Sequence, residues 1–206
     1  MRINLPVLFR VFGLFAFSGL LIGCKPKPDA EPSRRVAERD ISSLIKLAEG
    51  GSVQDQLSLG GIYSLGKDVS GVTRDYAEAF KWFRKAAEQG NAKAQYFLGR
   101  MYYYGEGMPK DYAEAAKFYR KAAEQGDVLA QFHLGICYAS GEGVAKDTVE
   151  AYAYYNLAGV ADEHARKNLT ILEKIMSPDE VAAGQKRTKE LQKEIEAKIA
   201  AKKASK

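Results

Sequence analysis

The chain has 206 residues, with 31 basic and 26 acidic side chains and a formal net charge of +5. Without Met1 to Cys24 the balance is 29 basic against 26 acidic, and from Gly184 onward it is eight against three, so the body between is slightly acidic and the basicity is a tail property. That excludes nucleic acid as the partner of the body, and the only two histidines, His133 and His164, have no Cys or His partner at ligand spacing, which excludes a zinc site or a histidine-centred triad.

Residues 1–24 read as a segment outside the fold. Arg2 and Arg10 precede the apolar run VFGLFAFSGLLIG, which is too short and too interrupted by glycine for a membrane-spanning helix and has the plan of an export signal. Its end, Leu21-Ile22-Gly23-Cys24, resembles the lipobox of bacterial lipoproteins, which implies acylation at Cys24 and a membrane-tethered product. Residues 25–38 follow as a flexible tether, with three of the six prolines between Lys25 and Arg35. Lys25 after the cysteine implies, by resemblance to known sorting rules, the periplasmic face of a Gram-negative outer membrane.

Residues 39–160 are built from copies. DYAEAFKWFRKAAEQG, ending at Gly90, returns thirty-six residues later as DYAEAAKFYRKAAEQG, ending at Gly126. AQYFLGRMYYYGEGMPKD, from Ala94, matches AQFHLGICYASGEGVAKD, from Ala130, at the same offset, and DQLSLGGIYSLG, from Asp55, is a looser version. LIKLAEGG, from Leu44, reads as the second half of an earlier unit. Each unit contains two helices. In the second, Ala115, Phe118, Tyr119, Ala122 and Ala123 form one apolar stripe, repeated by Ala79, Trp82, Phe83, Ala86 and Ala87. Asp75, Asp111 and Asp147, each followed three positions later by Glu78, Glu114 or Glu150, predict helix starts with an Asp form of the capping box. Gly90 and Gly126 predict the stops. In the first helix Ala94, Leu98 and Tyr102 form the core stripe, and Gly99, like Gly60 and Gly135, lets a neighbouring helix approach closely. Gly105, Gly107, Gly141 and Gly143 supply the permissive turns.

The pattern from Ala92 to Gly126, A-x-A-Q-x-x-L-G-x-x-Y-x-x-G-x-G followed by D-x-x-x-A and K-A-A-x-Q-G, resembles the Sel-one-like repeat, a relative of the tetratricopeptide repeat. The resemblance implies an all-α, right-handed solenoid of helix pairs that holds other proteins on its concave face. The third copy departs in AYAYYNLAGVAD, so the stack is expected to change character there. With Cys24 acylated, Cys137 stands alone and is read as a small core side chain. That separates the chain from the cysteine-rich branch of the family, with which penicillin binding is associated.

Enzyme motifs are absent or incidental. Gly61 to Lys67 fits G-x-x-x-x-G-K, but Asp68 stands where Ser or Thr must meet magnesium, and the segment aligns with a repeat helix. Ser43-x-x-Lys46 and Ser64-x-x-Lys67 match S-x-x-K, yet no K-T-G follows. The reading is therefore a non-enzymatic scaffold without cofactor or metal.

Residues 161–206 are expected to cap the solenoid. Ala165, Leu169, Leu172 and Met176 continue a helical stripe, and Ser177-Pro178-Asp179-Glu180 opens a last helix to about Lys198, with a sparse stripe of Leu191, Ile195 and Ile199. The alternative is that this helix projects as a partner helix.

By the resemblance, first helices line the concave groove. With Leu98, Gly99 and Tyr102 committed to packing, the outward set in the central unit is Lys93, Tyr96, Arg100 and Tyr103, flanked by Gln54 and Leu57 on one side and by Leu129, Phe132 and Ile136 on the other. Aromatic side chains and Arg are the types that carry binding energy, which points to a protein partner. A different outcome weighed for this strip is that the C-terminal helices cover Phe132 and Ile136. Two other functions remain open: a penicillin-interacting protein like the cysteine-rich branch, and a lipoprotein that binds peptidoglycan strands through its tyrosine-rich first helices.

Overall fold

The computed structural model describes residues 41–66 and 72–204. The export segment, the tether, Cys24, Lys67 and Asp68 lie outside the described residues. Within them the chain forms helices α1 (Ile41–Glu49), α2 (Val53–Leu65), α3 (Tyr76–Glu88), α4 (Ala92–Tyr104), α5 (Tyr112–Ala123), α6 (Val128–Ser140), α7 (Thr148–Gly159), α8 (Glu163–Glu173) and α9 (Pro178–Ala204), with no strand among them. Consecutive helices pack on one another from α1 to α8, giving an all-α solenoid. Helices α2, α4, α6 and α8 are the first helices of their units; α3, α5, α7 and α9 are the second.

Helix starts follow from side chains that accept the free N–H groups of the first turn. Asp75 accepts from the Glu78 amide and Asp111 from the Glu114 amide, both at 3.0 Å, and Asp147 accepts from the amides of Val149 and Glu150. The reciprocal half of the expected box is not formed there. The amides of Asp75, Asp111 and Asp147 donate to the carbonyls of Tyr63, Tyr102 and Tyr138, so Glu78 and Glu114 bond Lys81 and Lys117 instead, and Glu150 bonds Arg187 of α9. Among the described residues Ser177 and Glu180 alone close a full box: the Ser177 amide donates to the Glu180 carboxylate at 2.8 Å, and the Glu180 amide donates to the Ser177 hydroxyl at 3.3 Å.

The interior is set by glycine facing an aromatic ring. A Cβ on Gly60 would stand 2.5 Å from the Phe83 ring, one on Gly99 2.6 Å from Tyr119, and one on Gly135 2.7 Å from Tyr155. Each first helix thus lies directly on the ring of its unit's second helix, and Leu59, Leu98 and Leu134 are buried beside these contacts. A glutamine series ties the units together. Gln89 donates to Gln56 at 2.8 Å and Gln56 to the Ala48 carbonyl at 2.9 Å; one unit on, Gln125 donates to Gln95 at 2.7 Å and Gln95 to the Ala87 carbonyl at 3.4 Å. Gln131 continues it to the Ala123 carbonyl, and Ala161 then stands where the next glutamine would come.

The third unit does change character. Ala151 through Tyr155 are buried without a break, because α7 is covered by α6, α8 and α9. Helix α9 neither projects nor ends at Lys198; it continues to Ala204. It runs in the same direction as α7, with Glu180 against Thr148, Gly184 against the Tyr152 ring and Thr188 against Asn156. Beyond α7 it crosses the edge where second helices end: Ile199 meets Gly126, Lys198 pairs with Glu124 at 2.8 Å, and Lys202 donates to the Gly90 carbonyl at 3.1 Å.

Candidate protein-binding face

The first helices do not present the face that simple alternation predicts. Tyr96 is 8 % exposed and belongs to the core, a correction to its expected outward position. Helix α4 packs on α5 of its own unit, and its aromatic side chains also reach His133 of α6, the first helix of the next unit. The Tyr96 ring lies between these two neighbours, 6.0 Å from Tyr119 of α5 and 5.7 Å from His133 of α6 between ring centroids. Burial accordingly pushes its phenol above the ordinary range.

Lys93 is exposed and Arg100 half-buried, with an Arg100–Glu106 ion pair at 3.2 Å and the guanidinium 5.5 Å above the Phe97 ring. Tyr103 is half-buried and donates to the Glu142 carboxylate at 2.5 Å, so it bridges adjacent turns instead of standing free. Burial and that carboxylate together raise its pKa. Leu129 is 46 % exposed. Phe132 and Ile136 are half-buried against Ala151, Tyr155 and Leu172, so α8 covers part of that side of the strip. Gln54 is exposed, whereas Leu57 packs on the cluster around Phe83.

Beneath this face the Tyr119 hydroxyl, His133 Nδ1 and Arg100 Nε are buried without a hydrogen-bond partner in the protein. Such groups cost about 1–3 kcal/mol each, which makes this the least satisfied part of the core among the described residues. Burial, reinforced by Arg100, lowers the His133 pKa to about 4, so the ring is neutral at physiological pH. Cys137 is buried with a free thiol that burial pushes up to about 12, which suits the core role expected of it and not a reactive one.

The side chains that do stand out were missed by the alternation argument. Leu65 is 55 % exposed, Tyr104 51 %, Ile171 61 % and Ile175 75 %. Leu65 and Tyr104 are the last residues of α2 and α4, and Ile175 is their equivalent just after α8. Aligning the ends of the first helices, where no later turn covers the side chain, would have found them. Among the described residues, five of the seven exposed large apolar side chains belong to this first-helix series: Leu65, Tyr104, Leu129, Ile171 and Ile175.

A Sel1 repeat model matches residues 54–91, 92–127 and 128–159, just over half of the chain. The chain belongs to the Sel1 repeat family. It is 32 % identical over 126 residues to DAP3-binding cell death enhancer 1 of Rattus norvegicus, a match covering 48 % of this chain and 25 % of that protein. It therefore spans about a quarter of the length of that relative. Among solved structures, a Sel1 repeat protein from Oxalobacter formigenes is 38 % identical with a TM-score of 0.57, covering 64 % of this chain and 98 % of that one. The protective antigen c5321 of uropathogenic Escherichia coli, which displays an SLR fold, is 27 % identical with a TM-score of 0.50, covering 80 % and 43 % respectively. This Sel1 repeat chain thus shares the helical-repeat fold of the family, which suggests a protein-interaction scaffold. Among its described residues no helix is long and apolar enough to cross a membrane.

Proposed function

We propose that this Sel1 repeat protein is a lipid-anchored component of a bacterial cell envelope that holds a protein partner on its first-helix face. The observation that carries the reading is the gathering of exposed Leu65, Tyr104, Leu129, Ile171 and Ile175 on one helix series. Isolated exposed apolar residues are ordinary, but five on the first-helix series, with Leu65, Tyr104 and Ile175 at equivalent positions, are what an interface core requires. Arg100 and Tyr103 supply the polar rim, held in place by Glu106 and Glu142. The rat relative is named for binding another protein, which agrees with a scaffold role. The anchor rests on the sequence from Leu21 to Cys24, and its outer-membrane address on Lys25.

The test is capture of the full chain from crosslinked cells, followed by mass spectrometry, for wild type and for Leu129→Asp with Ile171→Asp. Both side chains are exposed, so folding is retained. The reading expects a partner enriched by wild type and reduced about tenfold or more by the double variant, the loss of roughly 1.4 kcal/mol or more at an interface core. Equal recovery by both proteins would place the binding surface elsewhere.

A further inference from the structure

The edge of the stack opposite the turns carries a second feature, separate from the first-helix face. Where α9 crosses the ends of α3 and α5, it encloses an open cleft of about 750 Å³. That is within the range of roughly 300–1,000 Å³ typical of ligand sites. Four ammonium groups line it: Lys121 from α5, and Lys198, Lys202 and Lys203 from α9. Among the described residues the only carboxylate in the lining is that of Glu124, which pairs with Lys198. The cleft therefore carries an excess of positive charge in a protein whose repeat body is slightly acidic. Basic helix ends are usually spread into solvent. Here the fold gathers them, with Lys202 bonded to both the Gly90 carbonyl and the Gln125 amide oxygen, 112 and 77 residues away.

We propose that this cleft binds an acidic peptide segment of a partner protein. The rest of the lining selects a peptide over a phosphate-bearing ligand. Val53 and Ile199 give an apolar wall for a side chain between two carboxylates, while the Gln95 and Gln125 amides are already bonded to each other, to Ala87 and to Lys202 and serve to hold the wall in place. Among the described residues no arginine lines the cleft, so none of them supplies the planar fork that grips phosphate in two places; lysines act as point charges suited to spaced carboxylates. The cleft is also walled on two sides by α9 and the loop edge, a recess that a chain can enter and a flat bilayer cannot.

The experiment uses the full chain and a fluorescein-labelled peptide of Glu-Glu-Leu repeats, with the Gln-Gln-Leu peptide as its uncharged counterpart and phosphatidylglycerol vesicles as the lipid arm. The variant is Lys121→Glu with Lys203→Glu, which spares the Lys198–Glu124 pair and the Lys202 bonds. Saturable binding of the acidic peptide is expected, about tenfold weaker in the variant, about tenfold weaker for the uncharged peptide, and falling with added salt. Leu129→Asp with Ile171→Asp should bind the acidic peptide as wild type does, which keeps this site distinct from the first-helix face. If the Glu variant melts early, Lys121→Gln with Lys203→Gln decides in its place. Absent binding, equal affinity for the two peptides, undiminished affinity in the lysine variants, loss in the first-helix variant, or lysine-dependent vesicle binding without peptide binding would each overturn the proposal.

Discussion

Replacing Gly99 by alanine tests the packing of the solenoid at its tightest point. Inside a helix, alanine is favoured over glycine by about 1 kcal/mol, so propensity alone predicts a gain. Against it, the new Cβ would stand 2.6 and 2.7 Å from Cδ1 and Cε1 of Tyr119 and 3.2 Å from the Ala115 carbonyl oxygen. Tyr119 cannot swing away: it is fully buried, with its ring stacked on His133 at 5.1 Å. Overpacking of this kind costs typically about 1–3 kcal/mol, and the upper end applies where backbone as well as a locked ring must move. The net is a destabilisation of about 1–2 kcal/mol, or a fall in Tm of about 2–8 °C at roughly 2–4 °C per kcal/mol for a domain of this size. Gly61 is the matched control, since it lies inside α2 and a Cβ there meets nothing within 4 Å. Gly61→Ala should therefore raise Tm by about 2–4 °C. Circular-dichroism melts of the two variants beside wild type measure both effects. The reasoning fails if Gly99→Ala proves as stable as Gly61→Ala.

Three further outcomes follow from the same structure. Leu98→Ala removes a buried side chain beside Gly99 and should cost about 2–5 kcal/mol in a denaturant titration; a variant as stable as wild type would mean the side chain does not fill the core. His133 titrates at about 4 in the fold and near 6.5 in the unfolded chain, so its contribution is fully present above 6.5 and is lost as pH falls from there through about 4. The loss reaches about 3 kcal/mol, and His133→Phe should flatten urea-melt stability over that window relative to wild type; an unchanged slope would assign the acid sensitivity to other groups. Cys24→Ser should move the protein from the membrane fraction to the soluble one, since each buried methylene of an acyl chain holds it by about 0.8 kcal/mol; unchanged fractionation, with no palmitate label on the wild type, would refute lipidation.

The repeats made the helix pairs, the Asp caps, the glycine contacts and the buried Leu98 legible before any coordinates, because each depends on local spacing that recurs. What spacing did not show is where a helix meets two neighbours at once. Tyr96 sits at an outward position for a helix packed on one side, and it is buried because α6 closes on α4 from another. Glu78 and Glu114 match a capping box, but the Asp75 and Asp111 amides donate to the Tyr63 and Tyr102 carbonyls of the preceding helix, and each carboxylate turns to a lysine one turn away. The glutamines at 56, 89, 95 and 125 recur with the repeat and were readable as a conserved spacing within the chain, yet their bonds run between units and no local rule foretells them. Helix α9 was visible as a helix; its path across the edge to Gly90 depends on tertiary contacts.

The central claim, that a protein partner sits on the first-helix face, is tested most directly by photocrosslinking in the producing cells. A photoreactive side chain is placed singly at Tyr104, Leu129 or Ile171, and at Lys81 or Lys117 on the exposed surface of the second helices. The account predicts the same partner adduct from all three first-helix positions and none from Lys81 or Lys117. Adducts confined to Lys81 and Lys117 would contradict it.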